Sequence, residues 1–428
     1  MKLVNRFVQF IGTYTDVQMN KGEARMNRTY LKHEFLITAR SMKNIPFVVF
    51  IGVLLLCYCF LLLPNEQVKE TFYPEKTKEY LTMLDAEQQF RLQKGNTGVV
   101  LFSGMPVYAN NAYYYSLYSA LLTAYEDKNY DRFLHLRASY LENNVWEYTN
   151  DKEFFKDSPF PGKDREHAYH QTMIRFEDYL SNNRPITYGL LMEKTGLQAL
   201  QKFLLNYGMY FFLFCAIFFS SDVLTRNRKN RSVLQGLPLT WYRQLNLKTL
   251  STFLYTSLFA LVTIVIAVGL ISIQYGFGYL NLDVPIMIAQ QTFTREEYDV
   301  LSMGTFIGIM AVAMLVLVYL FTRLTIAIGL LVKNEWVVLI ICSALLFLEQ
   351  FYFTRTTRTL GGIDISSFPQ TYIDFGKVVT GEKNFLLNVE TITMTKGIVV
   401  LLITLLLLEV CIWVLSRIVN KRRFYKIG

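Results

Sequence analysis

The chain has 428 residues, 52% of them hydrophobic, and its 43 Lys and Arg against 34 Asp and Glu give a formal charge of +9. A soluble chain of this length would disperse its apolar residues over two or three cores, whereas here they gather into runs of about 18 or more, as membrane helices require. The basic excess lies in short segments flanking those runs, which points to membrane sidedness and away from nucleic acid.

Residues 1–28 are mixed and basic, with weak helical patterning. From 28 to 44 the pattern sharpens: Leu31, Phe35, Ala39 and Met42 recur at helical spacing, while Lys32, Glu34, Arg40 and Lys43 lie off that stripe. A basic amphipathic helix just before a span is expected to lie along the inner membrane surface, cations towards lipid phosphates. The alternative is an ordinary juxtamembrane helix with no partner. The first span, 45–64, follows eight basic residues and does not read as a cleavable signal, so it is expected to remain as an anchor.

Segment 65–202 is long enough to be a domain. Ala112–Glu126 and Tyr130–Asn144, parted by Asp127, Lys128 and Asn129, are expected to form a helical hairpin packed through Leu117, Leu121, Tyr125, Phe133, Leu136 and Tyr140. Thr97–Ser103 reads as a short buried strand, Ser158–Gly162 as a turn, and His167–Asn182 as helix. All five cysteines (Cys57, Cys59, Cys215, Cys342 and Cys411) fall within spans, so this domain has no disulfide frame.

After an aromatic-rich second span, 203–221, comes the basic stretch 222–248. It holds Arg226, Arg228, Lys229, Arg231, Arg243 and Lys248 against the single acid Asp222. Its second half carries Leu237, Pro238, Leu239, Trp241, Tyr242, Leu245 and Leu247. Pro238 suits a first helical turn, and Trp241 and Leu245, four apart, share a face. A short amphipathic helix that presses on something inside the cell is the expectation. The third span (249–273) leads to an outer loop, 274–302, with one base against four acids. From Met303 to Val332 about 30 apolar residues would reach ~45 Å, beyond the ~30 Å hydrocarbon core. The fourth span, 303–322, is therefore expected to protrude or to break near Gly329, with Arg323 at the inner interface. The fifth span is placed at 335–352 and the sixth at 397–416. Between them, 353–394 suits short helices dipping into the outer boundary under protein cover.

Segments 1–44, 222–248, 323–335 and 417–428 hold 21 Lys and Arg against 5 acids, whereas 65–202 holds 16 against 19. The expected fold is an all-α polytopic membrane protein with six transmembrane helices and both termini cytoplasmic. A mostly helical extracytoplasmic domain lies between the first and second spans. The organisation is then 1–44 cytoplasmic, 45–64 first span, 65–202 outer domain, and 203–428 the remaining spans with their loops.

Catalytic signatures are missing: no G-x-x-x-x-G-K-S/T, G-x-S-x-G or H-E-x-x-H occurs. His167 and His170, beside Glu166, have a metal-like spacing but no third ligand, and read better as a solvated helix face. No catalytic residue and no metal site are expected. Two acids lie within spans. Glu349, near the outer end of its helix, is expected to reach the interface. Glu409 lies deeper, where an ionisable group is costly; it would pair with a base on a neighbouring helix, line a polar cavity, or bond between helices.

Three stretches together carry a family resemblance: LKHEFLITARSMKNIP (Leu31–Pro46), GLPLTWYRQLNLK at the end of Ser221–Lys248, and PQTYIDFGKVVTGEKNFLLN (Pro369–Asn388). With six spans and both ends inside, they resemble the membrane subunits of type-2 ATP-binding-cassette exporters, the first as interface helix and the second as coupling loop. The run RNRKNR at 226–231 departs from the family, which more often has an acid ahead of the glycine or serine. The resemblance implies a permease subunit in a bacterial plasma membrane, paired with a second permease subunit, identical or homologous. A separate ATPase subunit below each would carry ATP and Mg; this chain itself would hold no cofactor. Arg231, Leu237, Pro238, Trp241, Tyr242, Arg243 and Lys248 would then transmit force from the ATPase, with Glu34, Phe35 and Arg40 as secondary contacts. The outer domain suggests a peptide or an amphipathic, lipid-linked cargo. The rival reading is a membrane-anchored receptor or immunity protein whose outer domain binds a ligand without ATP-driven transport. A membrane enzyme would lack any polar constellation for its chemistry.

Overall fold

The computed structural model describes residues 21–68, 70–95, 98–100, 104–143, 155, 158–182, 184–226, 239–292, 294–421 and 424. In chain order come α1 (Lys21–Ala39), α2 (Asn44–Asn65), α3 (Pro74–Lys94), α4 (Val107–Glu126), α5 (Tyr130–Asn143) and α6 (Pro161–Ser181). The helical run α7 (Tyr188–Ser220) and the 35-residue α8 (Trp241–Tyr275) lead into the hairpin β1 (Asp283–Met287) and β2 (Tyr298–Ser302). There follow α9 (Met303–Leu331), α10 (Glu335–Leu346), α11 (Leu348–Tyr352), the small ladder β3 (Thr359–Leu360) with β4 (Ile363–Asp364), α12 (Phe375–Val379), α13 (Glu382–Leu387) and α14 (Met394–Ile418).

Among the described residues five helices, α2, α7, α8, α9 and α14, are long and apolar enough to cross a membrane. The expected fifth span, 335–352, is broken. Phe347 interrupts it, leaving the 12-residue α10 and the 5-residue α11. At 1.5 Å per residue α10 reaches only ~18 Å, short of the ~30 Å core. One other expectation changes, and one pair of alternatives narrows to an unbroken helix. α8 begins at Trp241 and runs on without a break, so the residues from Trp241 onward form no separate amphipathic helix. α9 continues through Gly329 to Leu331, where the missing side chain admits Leu224 closely.

The chain divides into two compact units. The first comprises 1–61, 200–267 and 305–428. In it, segment 353–394 does form short helices, and its apolar residues Tyr372, Ile373, Phe375, Phe385 and Leu387 are buried. Close backbone approach seats it. A Cβ at Gly376 would lie 3.0 Å from the Leu205 Cα, and one at Gly397 would lie 2.5 Å from the Tyr372 ring.

The second unit comprises 62–199 and 268–304. The expected hairpin is present as α4 and α5, turning at Lys128 (φ 56°), with Leu121, Phe133, Leu134, Tyr140 and Leu141 in the core. Residues 97 and 101–103 of the expected buried strand lie outside the described residues; Val99 makes one bridge to Pro106 and is 63% exposed. Segment 274–302, expected from its acids as an outer loop, folds as an antiparallel hairpin pairing Asp283 with Ser302 and Met287 with Tyr298. Its turn is held by Glu297, whose carboxylate accepts from the N–H groups of Gln291 (2.7 Å) and Thr292 (2.6 Å). α6 anchors it. His167 Nδ1 lies 2.7 Å from the Tyr298 hydroxyl, and Asp178 accepts from the Asp283 N–H at 3.1 Å. His167 is thus not on a solvated face; it is buried against Tyr298.

Candidate coupling site

α1 buries Tyr30, Leu31, Glu34, Phe35 and Thr38. Leu31 and Phe35 belong to the expected stripe, but Met42 is exposed because the helix stops at Ala39. Glu34, expected off the stripe, is 1% exposed. A carboxylate there is tolerable only when paired, and it has two cations. Arg226 Nη2 donates to its Oε2 at 3.1 Å, and Lys248 Nζ stands 3.6 Å from Oε1. Arg226 also donates to the Thr38 hydroxyl (2.8 Å), and Lys248 donates to the Val223 carbonyl (2.8 Å). Burial pushes the Glu34 pKa up, but Lys248 and then Arg226 outweigh it and hold the carboxyl below its ordinary value. A second pair follows at the start of α2. Lys43 meets Asp222 at 3.3 Å and donates to the Phe218 carbonyl and the Ser221 hydroxyl, both at 2.8 Å. Burial lowers the Lys43 pKa against the pull of Asp222. The Asn44 side chain donates to the Thr38 carbonyl at 2.8 Å, satisfying an acceptor at the end of α1.

The first turns of α8 carry two faces. One buries Leu239, Trp241 and Leu245 with Tyr30, Leu224, Ile326, Leu330, Ile412 and Phe424, the Trp241 ring 5.6 Å from that of Phe424. The other places Tyr242, Asn246 and Thr249, at spacings of four and three, towards an ion pair in which Arg323 is buried and Glu409 half-buried. Arg323 of α9 holds the Glu409 carboxylate by both Nε and Nη2 at 2.5 Å. Its remaining donors reach Thr249 Oγ1 (3.0 Å) and Asn246 Oδ1 (2.9 Å). Tyr319 and Tyr242 donate to Glu409 at 3.2 and 3.4 Å. Such fork-on-carboxylate geometry with the remaining donors occupied is what a buried guanidinium needs. The clasp joins α8, α9 and α14.

Of the residues expected to couple the chain to a partner, Arg231, Leu237 and Pro238 lie outside the described residues. Trp241 and Lys248 are buried within the chain, as are Glu34 and Phe35; Tyr242 and Arg243 are half-buried, and Arg40 is exposed. Glu409 meets its base, Arg323, as one of the sequence alternatives had it. Glu349 differs from expectation. It does not reach an interface but is fully buried, 2.7 Å from Lys383 and accepting from the Tyr210 hydroxyl at 3.3 Å. The break at Phe347 and the fold of 353–394 bring Lys383 to it. Sequence reasoning passed over Lys43, Asp222, Arg226 and Lys383 as partners. One signal was present: Asp222 is the single acid in a strongly basic stretch.

No protein-family model matches the chain, and neither a curated protein nor a solved structure matches it.

Proposed function

We propose that this chain is the membrane subunit of a type-2 ATP-binding-cassette exporter, worked by a separate ATPase. The observation that carries the reading is the interlock of Glu34 with Arg226 and Lys248. Through it, α1 and the base of α8 move as one piece, and the same turns of α8 contact the Arg323–Glu409 clasp. A push delivered to the stretch ahead of Leu239 would pass along α8, whose 35 residues reach ~52 Å. On this reading the termini and 222–248 face the cytoplasm. α10 with α11 completes a sixth, partly re-entrant crossing, and 65–202 stands outside with 274–302. The apolar face of Trp241 and Leu245 is covered by the chain itself, so an ATPase would grip the exposed Arg40 and Thr240 and the residues between 226 and 239.

That same internal cover supports a second reading, a membrane-anchored receptor or immunity protein, because nothing in α8 then demands an ATPase. The two separate by co-expressing the full chain with a neighbouring ATPase gene and placing a photo-crosslinker at Thr240. The exporter reading expects a crosslinked ATPase and hydrolysis that changes with the permease present. A Thr240 position labelled from outside the cell, or an ATPase that never associates, would sink it.

A further inference from the structure

The faces of α1 meet α8 at different depths. Tyr30 packs in a cluster with Trp241 and Leu245, and Glu34 faces Lys248. Leu31 and Phe35 instead pack with Leu250, Leu254 and Tyr255, the Phe35 and Tyr255 rings 5.6 Å apart. Tyr30 and Leu31 are neighbours in sequence, yet their partners Leu245 and Leu254 lie about two and a half turns apart on α8. Depth therefore changes around α1 and not along it: the helix lies across the base of α8, and its Phe35 side points towards the bilayer. At about 100° per residue, Arg28 lies about 20°, Lys32 about 60° and Arg25 about 80° past Phe35, away from Tyr30. Arg40 and His33 lie about 140° and 160° past it, turned from the bilayer. All five residues are exposed, and no carboxylate among the described residues pairs with Arg25, Arg28 or Lys32. α1 ends at Ala39 and the first span starts at Asn44; in the corner between them Met42 is 89% exposed, an apolar side chain suited to the acyl boundary.

We propose that Arg25, Arg28 and Lys32 form a docking stripe for anionic phospholipid headgroups, in the leaflet at the Trp241 end of α8. The structure thus separates cations that the sequence pattern groups together: Lys43 is paired with Asp222, Arg40 turns from the bilayer, and the stripe of three is left for lipid. A lipid surface fits better than an acidic protein because the stripe continues the apolar side of Leu31 and Phe35. The site stands whether or not the chain is an exporter. The test places the full-length chain in phosphatidylcholine nanodiscs carrying a trace of a headgroup-diazirine lipid, either phosphatidylglycerol or phosphatidylcholine. Labelled peptides from 25–40 are then quantified by mass spectrometry. Each cation near an anionic surface strengthens association about fivefold, so wild-type α1 should capture the anionic probe on the order of a hundredfold more than the zwitterionic one. Arg28→Gln with Lys32→Gln should lower that preference about 25-fold, whereas His33→Gln with Arg40→Gln should change it by less than about twofold. Equal labelling of wild-type α1 by the two probes, a comparison that needs no variant to fold, overturns the proposal. So does an Arg28/Lys32 double variant labelled like wild type, or a His33/Arg40 double variant that loses as much. Shielding of Lys32 from an amine reagent by an added ATPase but by neither lipid would make the stripe a protein contact and overturn it too.

Discussion

At the scale of single residues, the decisive group is Glu34. Its two oxygens face Arg226 and Lys248 in a site closed to water, and Lys248 is itself 1% exposed. Removing one member of a buried pair costs about 3–5 kcal/mol, because the remaining charge is stranded. Glu34→Gln should therefore lower the thermal midpoint of the purified chain strongly, while Lys32→Gln, on the exposed side of α1, should leave it nearly unchanged. The pH dependence has a defined sign. The folded carboxyl lies below its ordinary 4.5, so its stabilisation is complete above that value and is lost as pH falls through the lowered one. Wild type should melt at a constant temperature from neutral pH down to about 5 and progressively lower beneath it. Glu34→Gln should show a shallower acid slope. Acid melting curves with identical slopes would refute this assignment of the pair.

At the scale of elements, the long apolar helices were legible because hydropathy over 18 or more residues survives any tertiary context. So was the α4–α5 hairpin, whose charged break Asp127–Asn129 has no apolar face to bury. What stayed hidden depended on partners distant in sequence. The break at Phe347 lies in an apolar run, and only Lys383, 34 positions beyond Glu349, gives that carboxylate a reason to turn inward. The hairpin β1–β2 escaped detection because Pro285 and the acids of 295–299 blur its alternation, and its seat on α6 is a contact across more than a hundred residues. The start of α8 was misplaced because Trp241 and Leu245 read equally well as a surface helix facing a partner or as a buried extension of the span. The seat of 353–394 makes a test. The Tyr372 ring is fully buried and donates its hydroxyl to the Ser366 carbonyl at 2.8 Å, so it cannot yield to a Cβ at Gly397 without breaking that bond. Gly397→Ala should cost about 1–3 kcal/mol by overpacking and raise amide exchange across 365–375 first. Unchanged exchange there would show that the segment is seated by other contacts.

At the scale of the whole molecule, ion pairs centred on Glu34, Asp222, Glu349 and Arg323 occupy places where apolar side chains would cost less. Buried pairs are weak contributors to stability and are retained more readily for the arrangement they specify. The Arg323–Glu409 clasp is the one that ties three apolar helices together, with Tyr242 and Asn246 reporting on it from the base of α8. Glu409→Leu alone should destabilise the chain by about 3–5 kcal/mol, since it strands the buried Arg323, and Arg323→Met alone by less, since the Glu409 side chain is 26% exposed. The double variant should recover most of that loss, a coupling measurable as a thermal double-mutant cycle. If the clasp served only to hold the helices, the recovered double variant would behave as wild type in complex with an ATPase. On the exporter reading it should fold and bind the ATPase, but the hydrolysis rate should no longer respond to the permease, because α8 would have lost its grip on α9 and α14. A double variant that is stable and still modulates hydrolysis normally would move force transmission away from this clasp and leave it a structural pair.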